Sequence, residues 1–392
     1  MRTLEGITVV SLEQAIAAPF CTRQLADLGA RVIKVERREG GDFGRAYDKR
    51  VRGLSSHFVW TSRSKESLTL DVKHAEANGI LGALVDRADV LVQNLAPGAT
   101  TRLGLDWEAL HRRNPRLIVC DISGYGPAGP YRDKKAYDLL IQSESGLVSV
   151  TGTPDAPAKS GASIADIAAA MYAYSNILAA LIRRGQTGAG SHIEVSMLES
   201  MVEWASYPLY YALDGAPAPE RAGASHAAIY PYGPFVAGDG KTVVLGVQND
   251  REWRAFCDKV LNDSALATQP RFAGNPQRVL AREELKAMIQ DAFSTLTAEQ
   301  VLERLEQAGI ANAHMNEMAD VWRHPQLQAR GRWTEIDTPA GKVPALLPPG
   351  MSAADDPRMD AVPVLGQHTD AILEELGFGP AAITGLRARQ VV

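Results

Sequence analysis

The sequence predicts an α/β protein of two domains, the larger a Rossmann-like, mostly parallel sheet with helices on both faces and the smaller an α+β unit. Three observations carry this. Through residues 6–126, β-branched runs alternate with helical patterns, the mark of repeated βαβ units. At 392 residues and 45% hydrophobic content the chain is longer than one core supports and apolar enough to fill two. A stretch rich in proline, glycine and alanine, DGAPAPERAGASHAA at 214–228, separates two regions of different pattern and reads as a linker.

The first βαβ unit is GITVVSLE (6–13), a short helix within PFCTRQLADLG opened by Pro19 and closed by Gly29, and ARVIKVER (30–37). SLTLDVK (67–73), a helix over 74–88, VLVQNL (90–95), a helix over 107–113 and LIVCDISGYG (117–126) continue the alternation. The longest periodic stretch follows, SGASIADIAAAMYAYSNILAALIRRG at 160–185. Ile164, Ile167, Met171, Tyr174, Leu178 and Leu181 recur there at three-and-four spacing, and Ala168, Ala169, Ala170 and Ala173 allow close packing beside them. Ser163 reads as its N-cap and Gly185 as its stop. The glycines of GQTGAG (185–190) follow a helix and precede the strand SHIEVSM (191–197), the reverse of a dinucleotide fingerprint, so they read as a turn.

A helix through Tyr211 brings the N-terminal part of the large domain to residue 213. Residues 229–318 form the small domain, with a hairpin of PYGPFVA and KTVVLGV and helices near 250–261, 280–293 and 297–308. The remainder, 319–392, holds a hairpin at Ala340-Gly341, the crossing PALLPPG and the helix HTDAILEELG. Such a remnant cannot bury a core alone, so it is expected to return to the large domain.

Composition narrows the function. A net charge of −5 argues against a nucleic-acid binder. Three scattered cysteines, Cys21, Cys120 and Cys257, suggest neither a disulfide framework nor a zinc site, and no metal is expected. The N-terminus MRTLEGITVV lacks a signal h-region, and no run approaches the ~20 apolar residues of a membrane span. The cytoplasm is the expected compartment, without a membrane partner.

In parallel sheets ligands bind beyond the carboxyl ends of the strands, which directs attention to the residues just after each strand. Arg37, Arg38, Lys73, Arg102, Lys134 and Lys135 gather there, as suits a cofactor bearing several phosphates or, equally, a solvated basic rim. Asp166 lies in the first turn of the 160–185 helix. It is either the third helical residue of a capping box opened by Ser163 or a carboxylate kept ionised by the helix dipole and able to attack a carbonyl, and the two are compatible. Tyr137-Asp138 interrupts an apolar context and marks either a second polar site or a plain turn aspartate. GxSxG, HExxH and a first-turn GxGxxG are all absent, which disfavours a serine hydrolase, a zinc protease and a dinucleotide enzyme.

Several ordered segments together resemble the class III CoA-transferases, whose relatives include formyl-CoA transferase and the carnitine CoA-transferases. They are LEGITVVSLEQAIAAPFCTRQLADLGARVIKVERREGGD, SLTLDVK, VQNLAPGATTRLGLDWE, KKAYDLLIQSESGLVSVTG, SGASIADIAAAMYA and LGQHTDAILEELG. The resemblance implies a large domain built from both termini, a homodimer whose chains interlock like links, and coenzyme A, entering as an acyl-CoA substrate, at the strand ends. Position by position it implies that Arg37, Leu70, Lys73, Asn94, Leu95, Arg102, Lys135, Tyr137 and Asp138 contact CoA and that Asp166 is the nucleophile.

The chemistry implied passes an acyl group through an aspartyl anhydride and CoA through an aspartyl thioester, without ATP. Ile16 stands where formyl-CoA transferase has glutamine, and HAAIYPYGP replaces its glycine run. Both differences argue against oxalate as acceptor. The expectation is instead transfer from succinyl-CoA or a similar donor to a short di- or hydroxycarboxylate, with Ile16, His226, Tyr230 and Tyr232 near the acceptor. An α-methylacyl-CoA racemase is the rival of similar fold, but its histidine before the aspartate is Tyr137 here, a poor base at neutral pH. A CoA-binding protein without turnover is the third reading.

Overall fold

The computed structural model describes all 392 residues. The chain forms two compact units, one of Met1–Ser145, Gly161–Ala205 and Pro325–Val392, the other of Gly146–Ser160 and Ser206–His324.

The larger unit is built on six parallel strands, β1 (Thr8–Leu12), β2 (Arg31–Glu36), β3 (Lys65–Thr69), β4 (Val90–Gln93), β5 (Ile118–Ser123) and β6 (Ser191–Ser196). Their spatial order is β3-β2-β1-β4-β5-β6. The order reverses direction at β1 and β4, and in such sheets the chains leaving those two strands diverge to open a crevice at their carboxyl ends.

One core joins Val10, Ile33, Leu68, Leu91 and Val119 of the sheet to Ile80, Leu81 and Leu84 of the helix Ala77–Arg87 and to Leu373, Ile383, Leu386 and Val391 near the C-terminus. Those C-terminal apolar residues share the core of this sheet and its helix, so the last segment of the chain packs with the first. The helix Ala17–Asp27 packs on the helix Ile164–Thr187, whose buried face is mostly alanine: Ala165, Ala168, Ala169, Ala170, Ala173 and Ala180. By length and composition this helix could cross a membrane, contrary to the sequence expectation, because its alanines raise hydropathy without forming an unbroken apolar run. Its small-residue face is used in packing against the neighbouring helix and sheet.

Two boundaries and one cap differ from expectation for physical reasons. Strand β3 starts at Lys65 rather than Ser67, because the lysine is buried in an ion pair with Glu13 that apolar periodicity does not register. Gly185 does not stop the long helix; it continues to Thr187, and Gly188 takes the left-handed C-cap conformation at φ 75°. Ser163 occupies the N-cap but makes no side-chain capping bond, so the expected capping box with Asp166 does not form.

The smaller unit has an antiparallel sheet in the order Ala311–His314, Thr242–Gly246, Tyr232–Val236. Phe235, Val243 and Leu245 pack there against Trp253, Phe256, Leu285, Phe293 and Leu305. The 214–228 stretch, expected to be a linker, is fastened within this unit. Arg221 donates to the carbonyls of Thr153 (2.9 Å) and Pro154 (2.8 Å), and the Gly223 N–H donates to that of Gly152 (2.8 Å).

Candidate active site

The chain leaving β1 turns sharply before its helix begins. Ala15 adopts φ +63°, unusual for a residue with a Cβ, and Ile16, 5% exposed, precedes the first helical residue, Ala17. The side chain of Asn94, just after β4, brackets the turn: its Oδ1 accepts from the Gln14 N–H (2.8 Å) and its Nδ2 donates to the Gln14 carbonyl (2.9 Å). Asp42 Oδ1 accepts from the Ala15 N–H at 2.9 Å.

Below this turn lies a cluster of buried charge. Lys34 Nζ reaches Glu13 (3.0 Å) and Asp42 (2.6 Å), and Lys65 Nζ reaches Glu13 (2.6 Å) and the Pro19 carbonyl (2.9 Å). Burial alone would raise the Glu13 carboxyl, but Lys34 and Lys65 outweigh it and bring it down to about 2. Burial draws Lys65 down to about 8 despite Glu13.

Asp166 is placed differently. It sits in the first turn of the 164–187 helix, partly buried, and accepts a hydrogen bond from the Ala17 N–H at the start of the facing helix. Asp138, in the first turn of the helix Asp138–Glu144, caps the long helix instead of Ser163: its Oδ1 accepts from the Ala165 N–H (3.0 Å) and its Oδ2 from Gln142 Nε2 (2.8 Å). Burial, together with the Asp138 charge, pushes Asp166 up to about 7, with the Ala17 N–H opposing the rise. The expectation of a carboxylate held ionised by its helix is therefore reversed. Two helix N-termini meet at Asp166, yet desolvation and a second carboxylate outweigh them. Tyr47 also lies within electrostatic reach of Asp166, and its hydroxyl is raised by burial, Asp42 and Asp166.

The remaining predicted residues divide by surroundings. Arg37 is exposed just after β2, its Nε donating to the Gly41 carbonyl (2.9 Å) with the guanidinium over Phe43 (5.7 Å). Lys73, Arg102, Lys135 and Tyr137 are exposed in the segments after β3, β4 and β5. Neither Arg37, Lys73, Arg102 nor Lys135 is ion-paired within the chain, which leaves four cations able to meet phosphates. Lys134 is ion-paired with Glu144 (2.5 Å), and Arg38, half-buried and not ion-paired, donates to the Gln390 carbonyl (2.7 Å). Leu70 is buried in the core, 1% exposed. Leu95 is half-buried, and its N–H donates to Gln93 Oε1 at 2.6 Å.

In the smaller unit His226 stacks on Tyr232, with ring centroids 5.4 Å apart and an interplanar angle of 7°. Tyr230, expected beside them, instead has its side chain 4% exposed among that unit's core residues.

Sequence reasoning missed Asp42, Tyr47, Glu13, Lys34 and Lys65. The one available signal was charge inside otherwise apolar strand patterns, at Lys34 in VIKVE and at Lys65 ahead of SLTL.

The family model described as CoA-transferase family III matches residues 4–369. The chain belongs to this family. Among its family III relatives, the succinate–glutarate CoA-transferase of Agrobacterium fabrum is 35% identical over 95% of both chains. The human succinyl-CoA:glutarate CoA-transferase is 33% identical over 100% of this chain and 90% of its own. The acetyl-CoA:oxalate CoA-transferase of Acetobacter aceti is 34% identical over 95% of both. Of solved structures, a CaiB/BaiF family protein of Brucella suis matches with a TM-score of 0.83 at 34% identity, covering 96% of this chain and 99% of that one. A Mycobacterium tuberculosis protein matches with 0.84 at 26% identity, covering 95% and 98%. As a family III member the protein is an enzyme that transfers CoA between carboxylates.

Proposed function

We propose that the enzyme takes CoA from succinyl-CoA or a similar acyl-CoA and passes it to a short di- or hydroxycarboxylate, with Asp166 as the covalent carrier. One observation carries the reading: Asp166 is the carboxyl that meets the turn after β1, at the switch point of the sheet, with a single main-chain donor and a raised pKa.

In its ionised form Asp166 attacks the donor thioester carbonyl, forming a mixed anhydride and releasing CoA thiolate. The thiolate then attacks the aspartyl carbonyl of the anhydride, giving an aspartyl-CoA thioester and freeing the donor carboxylate. The acceptor carboxylate attacks that thioester to form a second anhydride, and the thiolate, released again, attacks the acceptor acyl carbon. New acyl-CoA departs and Asp166 is regenerated as a carboxylate. A carboxyl titrating near 7 is a stronger nucleophile, once ionised, than an ordinary aspartate, and it is substantially ionised at neutral pH. The Ala17 N–H that meets the resting carboxylate supports this route, since the same donor would meet the oxyanion formed on the aspartyl carbon as the Asp166–CoA thioester is made and opened. Partial burial limits hydrolysis of the anhydride and thioester.

The unpaired cations Arg37, Lys73, Arg102 and Lys135 support CoA binding along the carboxyl ends of the strands. Glutarate and oxalate, the acceptors in the relatives' names, are short dicarboxylates, which supports that class. Ile16, buried in the turn that leads to the Ala17 N–H, is the proposed acceptor neighbour within the larger unit. Racemisation is less well supported, because Tyr137 is exposed and Asp138 is bonded to Ala165 and Gln142. Exposed Tyr207, Leu209, Tyr210, Tyr211 and Leu213 in the smaller unit support the interlocked homodimer.

Incubation with succinyl-CoA and a panel of di- and hydroxycarboxylates, read by mass spectrometry, should reveal one acceptor converted to its CoA thioester with release of succinate. Deuterium exchange at the α-carbon of a 2-methylacyl-CoA without CoA migration would instead support the racemase.

A further inference from the structure

The N–H that meets Asp166 belongs to a helix whose entry is held by side chains from distant strands. A left-handed alanine such as Ala15 costs free energy and persists only where its surroundings enforce it. Asn94 holds both polar groups of the Gln14 main chain, and Asp42 holds the Ala15 N–H. Asp42 is itself fixed on every side. Its Oδ1 also accepts from the Gly44 N–H (2.8 Å), its Oδ2 accepts from the wholly buried Lys34 (2.6 Å), and its own N–H donates to Glu36 (3.1 Å). Three main-chain groups on two successive residues are thus immobilised by side chains, two residues ahead of the Ala17 N–H.

We propose that Asp42 and Asn94 are positioning residues for the transfer reaction, holding the Gln14–Ala15 turn so that the Ala17 N–H stays directed at the Asp166 carboxyl through each acyl exchange. The inference rests on the reading of Asp166 as nucleophile and deepens it. Neither residue is assigned contact with the reacting atoms in this role; both act through the backbone between them.

The one charge that acts on Asp166 is that of Asp138 from the 138–144 helix, and Asp166 in turn acts on the neutral Tyr47 hydroxyl beyond β2, while Lys34, Glu36, Lys65 and Tyr47 neighbour Asp42. Of these contacts only the Ala17 N–H favours the ionised form of Asp166. Loosening the turn therefore moves the acidic limb of the pH–rate profile upward. Removing the Asp42 charge without disturbing the turn would move it downward, so the direction of the shift separates positioning from simple electrostatics.

The test compares full-length wild type, Asp42→Ala, Asn94→Ala and Asp27→Asn. Asp27 pairs with Arg23 (2.5 Å) and Arg63 (2.8 Å) at the far end of the same helix, and serves as the control for a lost buried ion pair. Asp42→Ala and Asn94→Ala should each lower kcat on the order of 10- to 100-fold, shift the acidic limb upward and speed amide exchange over residues 14–20. Asp27→Asn should lower the melting temperature and leave the limb where it is. If Asp42→Ala does not fold, Asn94→Ala, which leaves the Lys34 ion pairs intact, decides the matter alone. A wild-type rate and limb in either folded variant, or an equal upward shift in Asp27→Asn, would overturn the positioning role. Covalent trapping on Asp166 in the wild-type sample keeps the two claims apart: trapping with an unmoved limb removes only the positioning role, and absence of trapping removes the nucleophile reading beneath it.

Discussion

Glu13 and Asp166 are both carboxyl groups withdrawn from water near the end of β1, and they stand at opposite extremes. Glu13, wholly buried, accepts from two ammonium groups and the Thr22 hydroxyl (2.5 Å), and lies at about 2. Asp166 has one main-chain donor and a carboxylate neighbour, and lies at about 7. The difference teaches how one sheet end can hold both a scaffold and a reagent. Compensated charge fixes the loop, and under-compensated charge is left where bonds are to be made.

The sharpest way to break this contrast is to remove the reagent. Asp166→Ala should cut CoA transfer on the order of 10³-fold or more while the fold survives, since Asp138 rather than Asp166 caps the long helix. The sign of its stability effect is also fixed. The folded pKa of about 7 exceeds the ordinary 3.8, so the folded state holds the extra proton, and wild-type stability falls as pH rises between those values. Asp166→Asn should therefore melt above wild type at pH 8 and lose that advantage at pH 4, as calorimetry would show.

Attacking the scaffold should have the next largest effect. Glu13→Gln leaves two buried ammonium groups short of a counter-charge and should cost about 3–5 kcal/mol in urea unfolding. In the wild type the Glu13 contribution is complete above its ordinary 4.5 and is lost as pH falls toward about 2. Acid should thus destabilise through Glu13 while it relieves Asp166.

A smaller change should move Asp166 toward ordinary behaviour. Asp138→Asn keeps an oxygen to accept from Ala165 but removes the neighbouring charge. The acidic limb should move downward by roughly one pH unit, and an unmoved limb would show that burial alone raises Asp166. Smallest of all, Arg37→Ala or Lys135→Ala should raise KM for acyl-CoA by about two- to fivefold with kcat unchanged, less at high salt. Arg38→Ala, whose guanidinium already serves the Gln390 carbonyl, should do less.

The contrast also marks what could be read from residues alone. Strands β1, β2, β4 and β5 were legible as short, continuous β-branched runs and the long helix by its 3.6-residue period, and Asp166 stood out as an acid in that helix's first turn. The clamp on the β1 turn was not. It joins Ala15 to Asp42 across 27 positions and Gln14 to Asn94 across 80, by side chain to main chain bonds that leave no periodic trace. Ser163 was misread for a related reason: a serine before a helix suggests a local cap, whereas the cap comes from Asp138, 27 positions upstream of Ala165. Gly185 misled because an internal glycine only weakens a helix, and the left-handed residue that ends this one is Gly188. Lys65 was passed over because burial of a lysine is decided by its partner, Glu13, on another strand.

The most direct test is to quench the enzyme during turnover with succinyl-CoA, treat it with hydroxylamine or borohydride, and map the modified peptide by mass spectrometry. Modification at Asp166 that requires acyl-CoA is the predicted result. Active enzyme with that peptide unmodified throughout turnover would contradict the account.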